Sequence, residues 1–508
     1  MRRIAPMADP AEFKQQVIAA LWRAADRLPT VQSATLAGSF ATGSGLDGFS
    51  DIDTIIIVDT LDADGMAIIQ ETFRSELAPV LDRHGWMLRI NATLGPLKFN
   101  DANTAVLHLM LYTAPGHLDH VVKSPFTCLD WQRSPLWRKA PMAAIYPVFS
   151  LQPRHFFGAR RSAKDYLADL QAGMISYREL AFAGGYHEIK RGKPMDVRDR
   201  HEFAYHILRF LMQNLLKLVE RSNQVVEGET LLARFTAVFP DGMGDFGPLF
   251  LALADMKKAV DFTTPIVDLL PRVAAFAHAF EAQFRQEFAR PGSRQVWCRH
   301  APTAMNRGMG AGAVLQGRTD PPVLPIDPTE LGPLLAAIRN ASISRIIASP
   351  LLRARQTAQA AALGIGAADG ALIATDARLL EIDYSRCEGL TAAEATRLHP
   401  VLKAGWAAGN DPSFPDGECS ADVRARVLAF ADEAPPSCAV VTHNVALREL
   451  IGSLLRVPEA DRWRLRIPHL APVGVVKSRR YGCFVDLDEA VETQCFAGFF
   501  QPTPGADS

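Results

Sequence analysis

Two stretches of the chain alternate short β-branched runs with amphipathic helical segments, and the stretch between them has helical periodicity without a strand signal. That pattern predicts two α/β parts flanking an all-helical part. In residues 1–150, "AEFKQQVIAALWRAADRL" and "DGMAIIQETFRSELAPVLDRHG" have helical spacing, while "SATLAGSF", "DTIIIVD", "WMLRI" and "TAVLHLMLYT" read as strands. Residues 151–290 read as helices, among them "HEFAYHILRFLMQNLLKLVERS" and "TPIVDLLPRVAAFAHAFEAQFRQEF". "ARPGSRQ", Ala289 to Gln295, reads as a compact linker. Over residues 294–490 strand and helix alternate again, which predicts a mostly parallel sheet covered by helices.

At 508 residues the chain exceeds one core and suits three domains. Apolar residues make up 48% and charged residues 21%, which excludes a disordered chain. A formal net charge of −1 supplies no global field to draw nucleic acid or an anionic membrane. The 7 cysteines are scattered and form no C-x-x-C pair, which argues against a disulfide framework or zinc site and fits a reducing cytosol. The start, "MRRIAPMADPAEFKQQ", lacks the apolar core of a signal peptide, and no apolar run reaches the ~18 residues of a membrane span. The expectation is a soluble, cytoplasmic, multidomain protein.

In the last part, charged residues close strands or open helices, where α/β folds place ligands. Arg299 and His300 close "QVWC", Arg353 follows "ASPLL", Glu381 lies in "RLLEIDYSRCEGLT" and His443 closes "AVVT". Two histidines and two arginines converging on one crevice suit a phosphoryl group, because Arg offers forked donors to phosphate oxygens. A neutral His can attack phosphorus, and a carboxylic acid can protonate the leaving oxygen.

"RHAPT", "SPLLRARQT", "LLEIDYSRCEGLT", "PDGEC" and "VVTHN" resemble, in order, the motifs of the histidine phosphatase (phosphoglycerate-mutase-like) superfamily. The resemblance spans Gln295 to Leu455 and extends to "YGCFVDLDE". It implies that His300 becomes phosphohistidine, that Arg299, Arg353 and His443 complete the phosphate pocket, and that Glu381 serves as acid and then base. It implies no cofactor for this domain. The chain departs from the family's pattern at Ala301 and Asn444, both usually Gly, and in the longer Gly- and Met-rich stretch "AMNRGMGAGAV".

In the first part, "AGSF" is followed by "SDIDTIIIVD". Carboxylates one residue apart on a strand share a face, as a divalent metal site requires. The pair of stretches is similar to the signature of the nucleotidyltransferase superfamily that includes DNA polymerase β and the antibiotic nucleotidyltransferases. That resemblance implies Mg²⁺ or Mn²⁺ on Asp51 and Asp53, an NTP held near Gly38, Ser39 and Ser50, and a third carboxylate on a later strand. The natural strand, "AVLHLMLYT", has His108 and Met110 but no acid. Asp101 or Asp119 could reach the metal, His108 could replace the acid, or the domain could bind nucleotide without efficient catalysis.

In the middle part, Lys190, Arg191, Lys193, Arg198 and Arg200 could face a nucleotide or form a solvated charge run, and Arg200 and His206 have the spacing of a helical nuclease pair. The combined expectation is a bifunctional enzyme: nucleotidyl transfer to a small hydroxyl-bearing or phosphorylated acceptor, and phosphomonoester hydrolysis. The alternatives are a phosphatase regulated by a nucleotide-binding domain, and a toxin-like transferase–nuclease module acting on RNA or protein.

Overall fold

A computed structural model describes residues 9–500 apart from 44–49, 98, 100–102, 159–161, 222–225, 241–245, 260, 263, 307–313, 367–372 and 409. It comprises two compact units, Met1–Leu151 with His155–Phe280, and Gln152–Arg154 with Glu281–Ser508.

The first unit is built on a mixed sheet of β1 (Val31–Ala37), β2 (Ser50–Val58), β3 (Met87–Asn91), β4 (Thr104–Thr113) and β5 (Trp137–Lys139). Their order is β3-β4-β2-β1-β5. β4 runs parallel to β2 and β3, whereas β1 is antiparallel to β2 and β5. Helices Pro10–Arg27 and Ala63–Arg83 cover one face, where Val17, Leu21, Phe73 and Leu77 share a core with Ile52, Ile56, Leu107 and Leu109. Asp9 caps the first helix, its side chain accepting from Ala11 N at 3.0 Å. Ile55 and Ile57 face a second core on the other side, with Leu94, Tyr112 and Met142. Both faces of β2 are therefore buried, which explains its unbroken β-branched run. Because side chains alternate, Asp51 and Asp53 share the face of Ile55 and Ile57.

The expectation of an all-helical middle part needs correction. Long helices are present, including Val197–Glu220 and Leu269–Phe288, but β6 (Met174–Ala181) and β7 (His187–Pro194) form an antiparallel hairpin. The strand "HEIKRGKP" is largely exposed, so it carries no apolar alternation to read. What holds the hairpin is backbone pairing, extended by mutual N–H···O bonds of 2.8 and 2.9 Å between Leu94 and Arg178.

In the second unit β8 (Arg294–Arg299), β9 (Ile346–Ala348), β10 (Ile373–Thr375), β11 (Ala439–Thr442), β12 (Val473–Ser478) and β13 (Gly482–Asp486) form a sheet of order β10-β9-β11-β8-β12-β13. β10, β9, β11 and β8 are parallel, and β12 is antiparallel to β8 and β13. The boundary between units falls inside helix Leu269–Phe288, ahead of the expected linker. Phe288 explains the shift: its ring packs on Phe484 at 5.2 Å and on Tyr481 at 6.0 Å. Gln152 likewise belongs here, accepting from Leu487 N at 2.6 Å and donating to Glu492 at 2.9 Å. Among the described residues no helix is long and apolar enough to cross a membrane.

Gly38, which follows β1 directly, has φ +71°, and a Cβ there would lie 2.2 Å from Asp53 Oδ2. Gly38→Ala should destabilise the first unit by about 1–3 kcal/mol, read as a lower midpoint for its transition in denaturant unfolding.

Candidate active site

Parallel pairing in the second unit brings three strand ends to one edge. Arg299 on β8 is in register with Thr442 on β11, and Ala348 on β9 with Val441. The next residues, His300, His443 and Ser349, therefore emerge together, tied by His300 N to Thr442 O and Ser349 N to Val441 O, each 2.9 Å. The imidazole centroids of His300 and His443 lie 5.1 Å apart.

Arg353, near the start of helix Leu352–Gly364, is 0% exposed. Its Nη1 and Nη2 donate to Thr319 O and Gly317 O at 2.8 Å, and its Nε donates to His300 Nε2 at 3.2 Å. Asp320 Oδ1 lies 3.5 Å from Nη1. On the other side of the ring, His300 Nδ1 lies 2.7 Å from Ala301 O. A carbonyl can only accept, so Nδ1 carries the proton and Nε2 keeps a lone pair.

Glu381 is buried, its Oε1 accepting from Ile382 N at 3.0 Å and both oxygens lying 3.1 Å from Val445 N. Val445 is in the first turn of helix Asn444–Leu454. Arg299 Nη1 donates to Ile467 O at 3.0 Å. Arg299 Nε, His443 Nδ1 and Gln316 Nε2 are buried with no hydrogen-bond partner among the described residues. Two of these are certain N–H donors, and such donors around a crevice suit an anion.

Several residues not singled out in the sequence hold this arrangement in place. Glu388 accepts from the backbone N–H of Gly317, Arg318 and Thr319, fixing the loop whose carbonyls hold Arg353. Thr357 Oγ1 accepts from Ala301 N at 2.9 Å, and Ser349 Oγ lies 2.8 Å from His443 Nε2. Arg426 donates to the carbonyls of Arg378, Leu380 and Glu381, which anchors the Glu381 segment. Glu388, Ser349 and Thr357 lie within the motifs already quoted; Arg426 could be found only in three dimensions. The Gly- and Met-rich stretch falls largely on 307–313, outside the described residues.

In the first unit Asp51 and Asp53 lie on β2, with Gly38 against Asp53 and Ser39 in the short helix Gly38–Thr42. Ser50 opens β2. His108 on β4 is in register with Asp53, and Asn91 on β3 with His108. Asn91 Oδ1 accepts from Thr93 N at 3.2 Å, so the group that reaches His108 Nδ1 at 2.9 Å is the Asn91 amide N–H. His108 Nδ1 therefore accepts, and the proton sits on Nε2, 3.3 Å from Asp51 Oδ1. A protonated nitrogen cannot ligate a metal. Asp119 pairs with Lys123 at 2.5 Å, and Asp101 lies outside the described residues. Among the described residues no three His, Cys, Asp or Glu side chains could hold a metal ion together. The residues on β2 and β4 do not fit a three-donor metal centre.

The basic residues of the middle part are mostly met by their own neighbours. Arg191 pairs with Glu179 and Arg198 with Glu202, each at 2.9 Å. Lys193 lies 4.0 Å from Asp199. Lys190 lines a cavity of about 250 Å³ with Tyr166, Tyr177 and Arg178. Arg200 and His206 are six residues apart on helix Val197–Glu220, which places them on different faces and ~9 Å apart along its axis.

Residues 296–488 match the model of the histidine phosphatase superfamily (branch 1). The second unit carries a histidine phosphatase domain. A protein named "Probable phosphoglycerate mutase GpmB" from Yersinia enterocolitica serotype O:8 / biotype 1B is 29% identical over 175 residues, covering 33% of this chain and 78% of its own length. Its namesake from Yersinia pestis (strain Pestoides F) matches to the same extent. Among solved structures, mycobacterial hydrolase 1 is similar with 23% identity and a TM-score of 0.32, covering 38% of this chain and 97% of its own. The alpha-ribazole phosphatase from Shigella flexneri is similar with 19% identity and a TM-score of 0.32, covering 38% and 94%.

Burial controls the charges of the phosphatase domain. Desolvation, then the Arg353 charge, holds His300 well below the usual imidazole range. His443 is held down by burial and by His300. Burial pushes Arg299 down to about 10 and lowers Arg353, with Glu381 opposing both shifts. At neutral pH the histidines are neutral and the arginines charged. Burial also lowers His469 to about 4 here and His117 to about 4 in the first unit. Below pH 6.5 the unfolded chain takes up protons that these folded imidazoles refuse, so stability is full above 6.5 and is lost as pH falls. Denaturant titrations should show both units weakening by pH 5, with His117 and His469 each contributing about 2 kcal/mol.

Proposed function

We propose that the C-terminal domain hydrolyses phosphomonoesters through a phosphohistidine at His300. The observation that carries this reading is the fixed tautomer of His300, whose unprotonated Nε2 shares a buried pocket with Arg353. His300 Nε2 attacks phosphorus, the ester P–O bond breaks, and Glu381 gives its proton to the leaving oxygen. Water then attacks the phosphohistidine, Glu381 takes the water's proton, and the P–N bond breaks to release phosphate. Arg299, Arg353 and His443 bind the phosphoryl oxygens, which takes the place of a metal in neutralising them.

His300→Ala should lower phosphate release from an aryl phosphate by more than about 10³-fold. Activity surviving at the original level would remove His300 as the nucleophile. Glu381→Gln should slow an alkyl phosphate by about 10²–10⁴-fold and a p-nitrophenyl ester much less, because only the poor leaving group needs the proton. Equal slowing of both esters would count against an acid role.

A second reading concerns the first unit. Gly38 against Asp53 and the carboxylates alternating on β2 support a nucleotidyltransferase-like domain that takes an NTP. The protonated His108 Nε2, 3.3 Å from Asp51 Oδ1 where a third metal donor would be needed, favours nucleotide binding that regulates the phosphatase over nucleotidyl transfer. Calorimetry with each NTP, with Mg²⁺ or Mn²⁺ and with pyrophosphate assayed in the same samples, separates the two. The expected result is binding without pyrophosphate release, and an Mn²⁺ affinity at least about tenfold higher in His108→Asp than in wild type. Metal-dependent binding lost in Asp51→Asn/Asp53→Asn, with pyrophosphate released when a hydroxyl-bearing acceptor is added, would instead establish a transferase.

A further inference from the structure

The segment Ile467–Leu470 grips the end of β8 at several points. Arg299 Nη1 donates to Ile467 O, and Leu470 N donates to Arg299 O, both at 3.0 Å. Between them His469 Nδ1 lies 2.6 Å from His300 O. A carbonyl has no proton to give, so Nδ1 is the donor. The His469 ring centroid stands 5.4 Å from that of His300.

This bond has a counterpart at the other end of the same peptide plane. The plane that begins with His300 C=O ends with Ala301 N–H, which donates to Thr357 Oγ1 at 2.9 Å. Thr357 Oγ1 donates in turn to Arg353 O at 2.8 Å, so the clamp is built into the helix that carries Arg353. The following carbonyl, Ala301 O, takes the proton of His300 Nδ1 at 2.7 Å. Rotation of the His300–Ala301 plane would move that carbonyl and swing the imidazole with it. The direction in which His300 Nε2 points therefore depends, besides the Arg353 Nε bond to that nitrogen, on one peptide plane held at its two ends by two side chains.

We propose that His469 is a positioning residue for the nucleophile: its Nδ1–H fixes the His300 carbonyl, and through that plane the aim of His300 Nε2. This rests on the phosphohistidine reading. His469 does not touch the transferring group in this role. Without it, a buried carbonyl beside Arg299 would lack a donor, and the plane would turn to find one. An offset of ~1 Å at a reacting atom costs on the order of 10²-fold in rate.

The test uses the full chain with His469→Leu, His469→Asn and wild type, with His300→Ala alongside. Asn places an N–H where His has Nδ1 and has nothing at the position of Nε2. Rapid-quench measurement of phosphoenzyme formation from an aryl phosphate should show His469→Leu slower by about 10–100-fold. Binding of inorganic phosphate by calorimetry should change less than about threefold, because the phosphate donors are untouched, and this also reports that the variant folds. His469→Asn should recover phosphoenzyme formation to within about threefold of wild type. The proposal is overturned if the Leu variant matches wild type, or if both variants bind phosphate normally and Asn fails to recover the rate. If Leu loses phosphate binding and the rate together while Asn keeps both, the donor still stands as the required group. A wild-type protein that forms no phosphoenzyme at all would sink the phosphohistidine reading itself, and this proposal with it.

Discussion

A guanidinium without solvent must be given acceptors by the chain, and the loops of the phosphatase domain are arranged around that demand at Arg353. Gly317 O, Thr319 O and His300 Nε2 take its N–H groups, with Asp320 close by. Leaving one donor unmet would cost about 1–3 kcal/mol. The demand passes outward. The 317–319 loop presents its carbonyls inward because its N–H groups are held by Glu388. A Cβ on Gly317 would lie 2.2 Å from Ile382 O, so only glycine lets this loop approach the Glu381 segment so closely. One buried cation thereby links β8, the helix after β9 and the segments holding Glu381 and Glu388.

The pocket also concentrates unsatisfied donors where solvent is excluded. Arg299 Nε and Gln316 Nε2 have no partner among the described residues, although both are buried. In low dielectric such groups attract an anion more strongly than they would in water. The same burial keeps His300 and His443 neutral, whereas the arginines stay charged because a guanidinium starts far above neutrality.

The first unit handles polar groups in a buried sheet differently. Asp53, His108 and Asn91 occupy neighbouring register positions on β2, β4 and β3. A row of polar residues across a sheet is tolerable when each gives what the next accepts. Thr93 N to Asn91 to His108 is such a chain, and its last nitrogen, His108 Nε2, lies 3.3 Å from Asp51 Oδ1. The sequence alone leaves His108 open as a metal ligand. Only the neighbouring amide, fixed by Thr93, decides which nitrogen keeps the proton.

Much of the phosphatase pocket is legible in the sequence because it lies at strand ends bearing distinctive short motifs: Arg299-His300 after "QVWC", Arg353 after "ASPLL" and His443 after "AVVT". The helices are equally readable from apolar spacing. The β6–β7 hairpin was hidden because β7 is largely exposed and polar, β6 is mostly half-buried without a clean alternation, and backbone hydrogen bonds leave no residue pattern. Arg426 and His469 were hidden for another reason: each acts on main-chain groups far along the chain, and any donor of suitable length would look the same in sequence. The amino-acid sequence by itself determined the alternating α/β architecture of the phosphatase domain and the identity of its charged strand ends, since periodicity and residue chemistry are local properties. Only the tertiary structure decided which proton each histidine carries and which carbonyls hold Arg353, since those depend on partners brought together by folding.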